Sequence, residues 1–269
     1  MDIPDRNEQI ITTSKPISYL MLALAGLIGG GGLLIFMSFL FVGSFNIVDL
    51  GMSIIEVVGF DLFLCLLFFA QHSLMARKPF RLWLKSYLPS PYYGAFYAVA
   101  SGMAVLVLVV FWQEATFTIF SLQGFTRFVS RGVFVLAITC VAWTILSLGF
   151  FVNFRVQPMV DDLRGKETTS TLVTDRGPYR WIRHPLYLSS LLMIWSNPDL
   201  TLDRLLFNLV FTVWVIIAIL LEERGLVDSY GEAYRSYQDE VPILIPYRIY
   251  PGIFRKESGV SVEQDSLIH

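Results

Sequence analysis

The segment ISYLMLALAGLIGGGGLLIFMSFLFV, residues 17–42, contains 26 consecutive residues without a charged side chain. A helix needs about 20 apolar residues to cross a bilayer, whereas the apolar region of a signal peptide is shorter and precedes a small-residue cleavage site. The segment therefore predicts a retained first transmembrane helix, preceded by a polar cytoplasmic tail over 1–16. Within it, Gly26 and Gly30 stand four residues apart, a spacing that allows close approach to another helix. The ordinary alternative is that a membrane helix simply tolerates these glycines.

Apolar segments of the same kind recur along the chain. Residues 54–75, 92–112 and 132–152 are each long enough to span a membrane. After a polar loop, 153–183, the apolar stretch 186–195 has only ten residues, which as a helix covers about 15 Å, half of a bilayer core.

A turn signal and a second apolar run follow this short stretch. Ser196-Asn197-Pro198-Asp199 interrupts it, and residues 205–221 are apolar again. We therefore predict an all-α fold: a polytopic membrane helical bundle with four full spans over 17–152, followed by a C-terminal helical hairpin.

Composition excludes several classes of protein. The chain has 269 residues, of which 16% are charged, with a net charge of -2, against about 25% charged residues in soluble domains. It has no basic field to hold a nucleic-acid backbone. The two cysteines lie inside apolar segments, and there are only three histidines. This composition predicts neither a disulfide scaffold nor a metal site.

Lysine and arginine are distributed unevenly between the two ends of the predicted spans. Seventeen lie in the N-terminal tail, the loop 77–91, the loop 153–183 and the chain after residue 221, and three lie elsewhere. Cytoplasmic loops carry the excess of basic residues. The sequence therefore predicts that both termini, including the polar tail 248–269, lie on the cytoplasmic side.

The first candidate site is the stretch 176–187, Arg-Gly-Pro-Tyr-Arg-Trp-Ile-Arg-His-Pro-Leu-Tyr. Pro185 is suited to the first position of a helix, where its missing N–H has no partner to lose. The free amides of Leu186 and Tyr187, together with Arg183, then predict an anion site at the membrane boundary. The ordinary alternative is that these basic and aromatic residues only anchor the span at the interface.

The second candidate is the pair Glu222-Glu223, directly after the returning helix of the hairpin. Carboxylates are costly at membrane depth, and the dipole at a helix C-terminus disfavours them further. The hairpin returns them to the membrane face of Arg183, so the two clusters predict a site for a ligand with a cationic group. The alternative is a solvated helix end.

A lid is predicted over this site. Leu226, Tyr230, Tyr234 and Tyr237 recur at helical spacing, which indicates one amphipathic helix on the membrane face. The segment 241–247 that follows is expected to complete the lid.

Span two carries a third candidate, Gln71-His72-Ser73, near its cytoplasmic end. An ionisable residue inside a membrane is a functional hypothesis by default. The commoner case is a histidine that only forms a hydrogen bond within the bundle.

These motifs resemble known families. The stretch 177–187 followed by Glu222-Glu223 resembles the membrane methyltransferases that use S-adenosylmethionine, including isoprenylcysteine carboxyl and phospholipid methyltransferases. Residues 69–76 and Leu202-Asp203-Arg204 resemble the nurim family, which includes methanethiol S-methyltransferases and nurim itself. Residues 153–158, Asn-Phe-Arg-Val-Gln-Pro, depart from the acidic-Leu-Phe-Gly stretch usual in that family.

The resemblance implies a methyltransferase site built from 184–247, in contact with membrane lipid. It implies that S-adenosylmethionine methylates a small thiol, methanethiol, to dimethyl sulfide. His72 and Arg183 would be catalytic: His72 would orient the thiol or accept its proton, and Arg183 would favour a thiolate. The residues implied to bind the cofactor are Tyr179, Arg183, His184, Leu186, Tyr187, Glu222 and Glu223.

Three alternatives stay open at this point. A carboxyl O-methyltransferase of the isoprenylcysteine type would need a wide gap facing the lipid. A non-catalytic protein like nurim would have no need of both candidate clusters. A di-haem cytochrome using His72 and His184 would show a visible absorption spectrum.

Overall fold

The structure of the protein is a computed structural model, and it describes residues 15–149, 152, 155–166 and 177–247. The polar tail 248–269, nearly all of the N-terminal tail and part of the loop 153–183 lie outside these residues. In chain order, the helices are α1 (Lys15–Leu24), α2 (Gly31–Val42), α3 (Ile54–Ala76), α4 (Lys78–Leu84), α5 (Tyr93–Phe111), α6 (Gly124–Leu148), α7 (Gln157–Leu163), α8 (Pro185–Trp195), α9 (Leu202–Tyr230) and α10 (Glu232–Glu240).

Five helices of the described chain are long and apolar enough to cross a membrane. Span one joins α1 and α2 through a π-helical segment, Ala25–Gly30. Spans two and four are α3 and α6, and span three is α5 with the short 3₁₀ turn Ser90–Tyr92 before it. The fifth is α9, the returning helix of the hairpin. The predicted all-α membrane bundle is confirmed.

Two helix boundaries differ from the sequence-based prediction. Span four begins at Gly124 instead of residue 132. The returning helix α9 covers Leu202–Tyr230, whereas the predicted apolar run covers only 205–221. The helix is therefore long enough to cross a membrane and to extend beyond it. Polar residues flank both apolar runs, and hydropathy alone does not show that the helix continues through them. Because of the extension, Glu222 and Glu223 lie on a regular helix.

The predicted hairpin turn lies at the end of the bundle opposite the candidate site, where a strand pair and side-chain bonds hold it. There, β1 (Thr118–Ser121) pairs antiparallel with β2 (Asp199–Thr201), a small element that the all-α prediction did not contain. The Asn197 amide donates to the Leu40 and Phe41 carbonyls at the end of span one. Arg127 forms a bidentate ion pair with Asp199, which lowers the pKa of that carboxyl.

Aromatic packing fills the centre of the bundle. Phe207 and Phe211 of α9 stack at 4.0 Å between ring centroids, and Phe211 meets Phe69 of span two at 4.7 Å. Phe207 also contacts Trp112 at the end of span three, with 5.4 Å between centroids. This core joins spans one, two and three to the hairpin and fixes α9 against the bundle.

Spans one and three pack closely through glycine, although not through the predicted pair. A Cβ on Gly102 of α5 would lie 2.3 Å from the Ile28 carbonyl oxygen, so the backbones are nearly in contact. Gly29 and Gly32 make the matching approach from span one. Gly26 and Gly30 have no such neighbour within 4 Å. The close-approach prediction was therefore right for the span and wrong for the two residues.

The predicted single amphipathic helix of the lid is also wrong in detail. Leu226 and Tyr230 belong to α9, which ends at Gly231, and α10 then begins at Glu232. Gly231 has a φ of 55°, a left-handed conformation that glycine adopts without steric cost. The break turns α10 back, and Tyr234 is buried against α9 as a result.

Candidate functional site

A buried carboxylate lies at the centre of the site. Glu223 accepts hydrogen bonds from Arg183 Nε (3.1 Å) and Nη2 (2.9 Å) and from His184 Nε2 (2.6 Å). It also accepts from the Tyr234 hydroxyl (2.7 Å) and the Gln238 amide (2.6 Å). These five residues, called the Glu223 cluster below, join the start of α8, the end of α9 and α10.

The same cluster fixes the lid over the hairpin. Arg183 Nη1 donates to the Gln238 and Val241 carbonyls at 2.9 and 2.6 Å. The backbone N–H of Arg183 donates to the Pro242 carbonyl. Arg183 therefore uses four N–H groups of its guanidinium inside the protein.

Glu222 lies in different surroundings from its neighbour. Its side chain is exposed, and its Oε2 accepts a 2.9 Å hydrogen bond from the Tyr187 hydroxyl of α8. Tyr179 lies beside it, in the 3₁₀ turn Gly177–Arg180. Burial and the nearby Glu222 carboxylate raise the pKa of Tyr179 to about 12, so this phenol stays protonated. Two phenols and one carboxylate thus face a common surface.

His72 is held by side chains of span three. Its Nδ1 lies 3.2 Å from the Ser101 hydroxyl, and its Nε2 lies 2.9 Å from the Tyr97 hydroxyl. Its ring stacks on Phe68 with 5.3 Å between centroids. The Tyr97 hydroxyl also lies 3.1 Å from Nδ1, so the imidazole is held by two hydroxyls and by one stacked ring.

Arg155 links the two halves of the site, and the sequence analysis did not single it out. Its guanidinium lies over the Tyr97 ring, 5.6 Å from the centroid. It is also close enough to interact electrostatically with His72 and Tyr187. Arg155 is exposed, and within the described part of the chain no carboxylate pairs with it. Arg155, with which no carboxylate of the described residues pairs, therefore lies near His72, Tyr97 and Tyr187.

Two buried polar atoms at this end of spans two and three have no hydrogen-bond partner among the described residues. They are the Gln71 side-chain oxygen and the Tyr93 hydroxyl oxygen. Tyr93 stacks on Tyr97 with 6.4 Å between centroids and lies near Arg155. A buried polar atom without a partner is costly unless a ligand or water completes it.

The structure brings nearly all residues of the sequence-based prediction to one end of the bundle, in two groups. Arg183, His184 and Glu223 bond to one another, and Tyr187 and Glu222 form the second group with Tyr179 nearby. Leu186 contacts neither carboxylate and packs against the apolar core. His72 reaches the second group through Tyr97 and Arg155.

Arg155 and Tyr97 were missed because nothing local marks them. Each is a common residue type at a span boundary, and their proximity depends on contacts between distant segments. One local signal was available in Gly94, one turn before Tyr97. A Cβ there would lie 1.7 Å from the Arg155 carbonyl oxygen, so the loop rests directly on span three.

These features define a polytopic α-helical membrane protein with a cluster of polar and ionisable side chains at one end of a helical hairpin. Residues 62–243 match the family of NnrU proteins, and the chain belongs to that family. The matched range begins in span two and includes His72, Arg155, both glutamates and α10.

Curated relatives support the same grouping. The chain is 34% identical to a methanethiol S-methyltransferase of Pseudomonas sp. (strain GM41(2012)) over 70% of this chain and 73% of the relative. It is 30% identical to one of Mycobacterium tuberculosis over 71% and 79%, and 26% identical to nurim of Rattus norvegicus over 69% and 74%. No solved structure matches. The resemblance to the nurim and methanethiol S-methyltransferase family is confirmed.

Proposed function

We propose that the chain is an integral-membrane, S-adenosylmethionine-dependent methyltransferase that converts methanethiol to dimethyl sulfide. The relatives' names support the chemistry. The observation that carries it in this chain is the position of Arg155 near His72 and near Tyr187, which in turn bonds to Glu222. A cation beside an oriented imidazole suits a thiolate acceptor, and the exposed carboxylate opposite suits a methyl donor that bears an ammonium group.

The residues present fit the proposed cofactor. Glu222 has one carboxylate oxygen without a partner among the described residues, which is suited to an ammonium group or ribose hydroxyls. Tyr179 and Tyr187 offer ring surface for the adenosine part, and Leu186 bounds the site on the apolar side. When bound, S-adenosylmethionine supplies an electrophilic methyl group on a sulfonium.

Arg183, His184 and Glu223 act in this proposal by positioning the lid. The sequence-based hypothesis gave them direct contact with the cofactor and gave Arg183 the thiolate. Their side chains already satisfy one another, and an arginine paired with a buried carboxylate has little charge left for a ligand. Arg155 therefore takes the role of the thiolate-stabilising cation.

His72 orients the thiol and takes its proton. The thiol S–H points to an imidazole nitrogen, with the partner hydroxyls Ser101 and Tyr97 adjusting to the tautomer. Arg155 favours the thiolate. S-adenosylmethionine would supply the methyl group to this sulfur, its own bond to that methyl would break, and S-adenosylhomocysteine would be the leaving group. Because thiolate and sulfonium lose opposite charges together, exclusion of water by the bound substrates would favour the reaction.

We also propose that both termini lie on the cytoplasmic side and that the spans contact membrane lipid. This topology requires that the start of span one, the start of span three and α7 lie at the same end of the bundle, and their contacts support it. Ser18 at the start of span one bonds to Tyr92 before span three, and α7 packs against both regions. The hairpin turn lies at the other end of the bundle, on Leu40 and Phe41.

The test uses the purified chain in nanodiscs with labelled S-adenosylmethionine and methanethiol. Headspace gas chromatography should show labelled dimethyl sulfide, in step with S-adenosylhomocysteine release. Methylation of a prenylcysteine analogue without sulfide formation would replace the proposal by the carboxyl O-methyltransferase alternative. Binding of neither donor nor acceptor would support the non-catalytic alternative.

A further inference from the structure

A cavity lies beside span one, and its lining shares no residue with the site just described. It has a volume of about 380 Å³ and is bounded by span one, α5 and α7. We call it the α1–α7 cavity. Its walls include Tyr19, Gly26, Gly30, Ala98, Val160 and Arg164.

The cavity has the depth of one membrane leaflet. Tyr19 and Gly30 are eleven residues apart on span one, which corresponds to about 16 Å along a helix and about half of a bilayer core. A volume near the lower end of the usual range for ligand sites, extended over this depth, suits a chain-like apolar ligand.

Glycines hold the cavity open. A Cβ built on Gly26 or on Gly30 meets nothing within 4 Å, so a larger side chain at either position would project into free space. Both residues belong to the π-helical segment Ala25–Gly30. Short π-helical segments inside α-helices are frequent at functional sites, because they alter which side chains face a neighbour.

A cation stands at the mouth of the cavity. Arg164 at the end of α7 is exposed, and within the described ranges no carboxylate pairs with it. Tyr19 lies on the same rim, and aromatic residues are typical of the membrane interface. The cytoplasmic leaflet carries anionic lipids, which attract basic residues there.

We propose that the α1–α7 cavity binds an anionic glycerophospholipid. One acyl chain occupies the apolar walls along Gly26 and Gly30, and the phosphate meets Arg164. The apolar depth accounts for the acyl chain. The Arg164 guanidinium, with which no carboxylate of the described residues pairs, accounts for the preference for a negative headgroup.

The bound lipid also supports the proposed catalytic site. The cavity wall includes Val156, the residue after Arg155, and Ala98, the residue after Tyr97. A ligand packed there holds α7 and the segment before it against span three. Only this consequence rests on the proposed function; the binding itself does not.

The test measures lipid binding without any methyl donor. The chain is purified in detergent, and thermal unfolding is followed with added phosphatidylglycerol or phosphatidylcholine. At saturating lipid, phosphatidylglycerol should raise Tm by roughly 5–10 °C and phosphatidylcholine by much less. Native mass spectrometry should show one retained phosphatidylglycerol.

Two variants separate the parts of the proposal. Arg164→Gln should remove the preference for phosphatidylglycerol, whereas the exposed control Arg77→Gln should keep it. Gly30→Leu should remove the retained lipid. If Gly30→Leu fails to fold, the arginine pair still decides, because both are surface positions.

Equal effects of the two lipids, or equal loss of preference in Arg164→Gln and Arg77→Gln, would overturn the proposal. So would a Gly30→Leu variant that keeps its lipid but has a raised KM for the thiol, since the cavity would then be a substrate passage. Failure of the methyl transfer reaction in every variant would bear on the proposed function alone.

Discussion

Glu222 and Glu223 are neighbours in sequence but lie in different surroundings, because successive residues of a helix are rotated by about 100°. Glu223 faces the hairpin, where four side chains satisfy it, and Glu222 faces outward to Tyr187. The sequence could predict that a carboxylate at this point matters. It could not assign the two roles, since the direction of each residue depends on how α9 is rotated against α8.

Glu222→Gln should weaken binding of the methyl donor without unfolding the protein. Losing one charge-assisted hydrogen bond costs about 1.5–3 kcal/mol, or roughly ten- to a hundredfold in affinity. Calorimetry on the purified variant measures this, with Tm as the check on folding. Unchanged affinity would mean that Glu222 is only a solvated helix end.

Glu223→Gln should lower the stability of the protein, in contrast to Glu222→Gln, which should lower donor affinity. Removing the carboxylate leaves Arg183 buried without its partner, which costs about 3–5 kcal/mol in the free energy of unfolding. Denaturant unfolding and protease sensitivity of the lid measure the loss. A stable variant with an intact lid would contradict the positioning role of the Glu223 cluster.

His72→Ala should leave donor binding intact and lower kcat by roughly 10²-fold or more. The reason is that the imidazole is oriented toward the acceptor side by Ser101 and Tyr97. Single-turnover rates with pre-bound donor separate this effect from binding. Poor folding with a normal rate per folded molecule would assign His72 a structural role.

Arg155→Gln should shift the pH profile of the reaction. The groups near Arg155 are His72, Tyr93, Tyr97 and Tyr187. A tyrosine is never positive and a neutral histidine is not, so none of them replaces the charge of Arg155. Without it, the bound thiol should ionise about one pH unit higher, equivalent to about a tenfold loss of rate at neutral pH. Arg155→Lys should retain most of the rate. A uniform loss at every pH would indicate donor binding instead.

At the scale of elements, hydropathy predicted the helices that cross the membrane. It did not predict the elements that depend on tertiary contacts or on local backbone conformation. Long apolar runs located every span and the short helix α8, even in span two, which carries Glu56 and Asp61, because lipid tolerates few other patterns. The β1–β2 pair joins segments about 80 residues apart, so no local pattern could show it. The π-helical segment and the helix break at Gly231 are changes of backbone conformation that hydropathy does not record. Buried Asp61 and Asp203 belong here too: they accept backbone N–H bonds from Gln113 and Ala115 and so fix the end of span three.

Gly102→Ala should destabilise the contact between spans one and three. The new Cβ would lie 2.3 Å from a backbone oxygen that cannot move aside alone, an overpacking that costs about 1–3 kcal/mol. Gly31→Ala is the matched control, since nothing lies within 4 Å of its Cβ position, and it should change stability by at most about 1 kcal/mol. Thermal unfolding in one detergent compares the two. Equal effects would show that the close approach does not contribute.

At the scale of the whole molecule, the prediction concerns orientation. The candidate site, α7 and the start of span one share one end of the bundle, and the hairpin turn lies at the other. Because the first end carries most of the basic residues, it should face the cytoplasm.

Cys65 is fully buried, so replacing Cys140 leaves a background suited to accessibility labelling. A cysteine introduced at Ser86 should react with a membrane-impermeant maleimide only after lysis, whereas one at Thr116 should react in intact cells. The opposite labelling pattern would mean that the thiol site lies outside the cell. The intracellular supply of S-adenosylmethionine does not reach that side, so this result would count against the proposed reaction as well as against the topology.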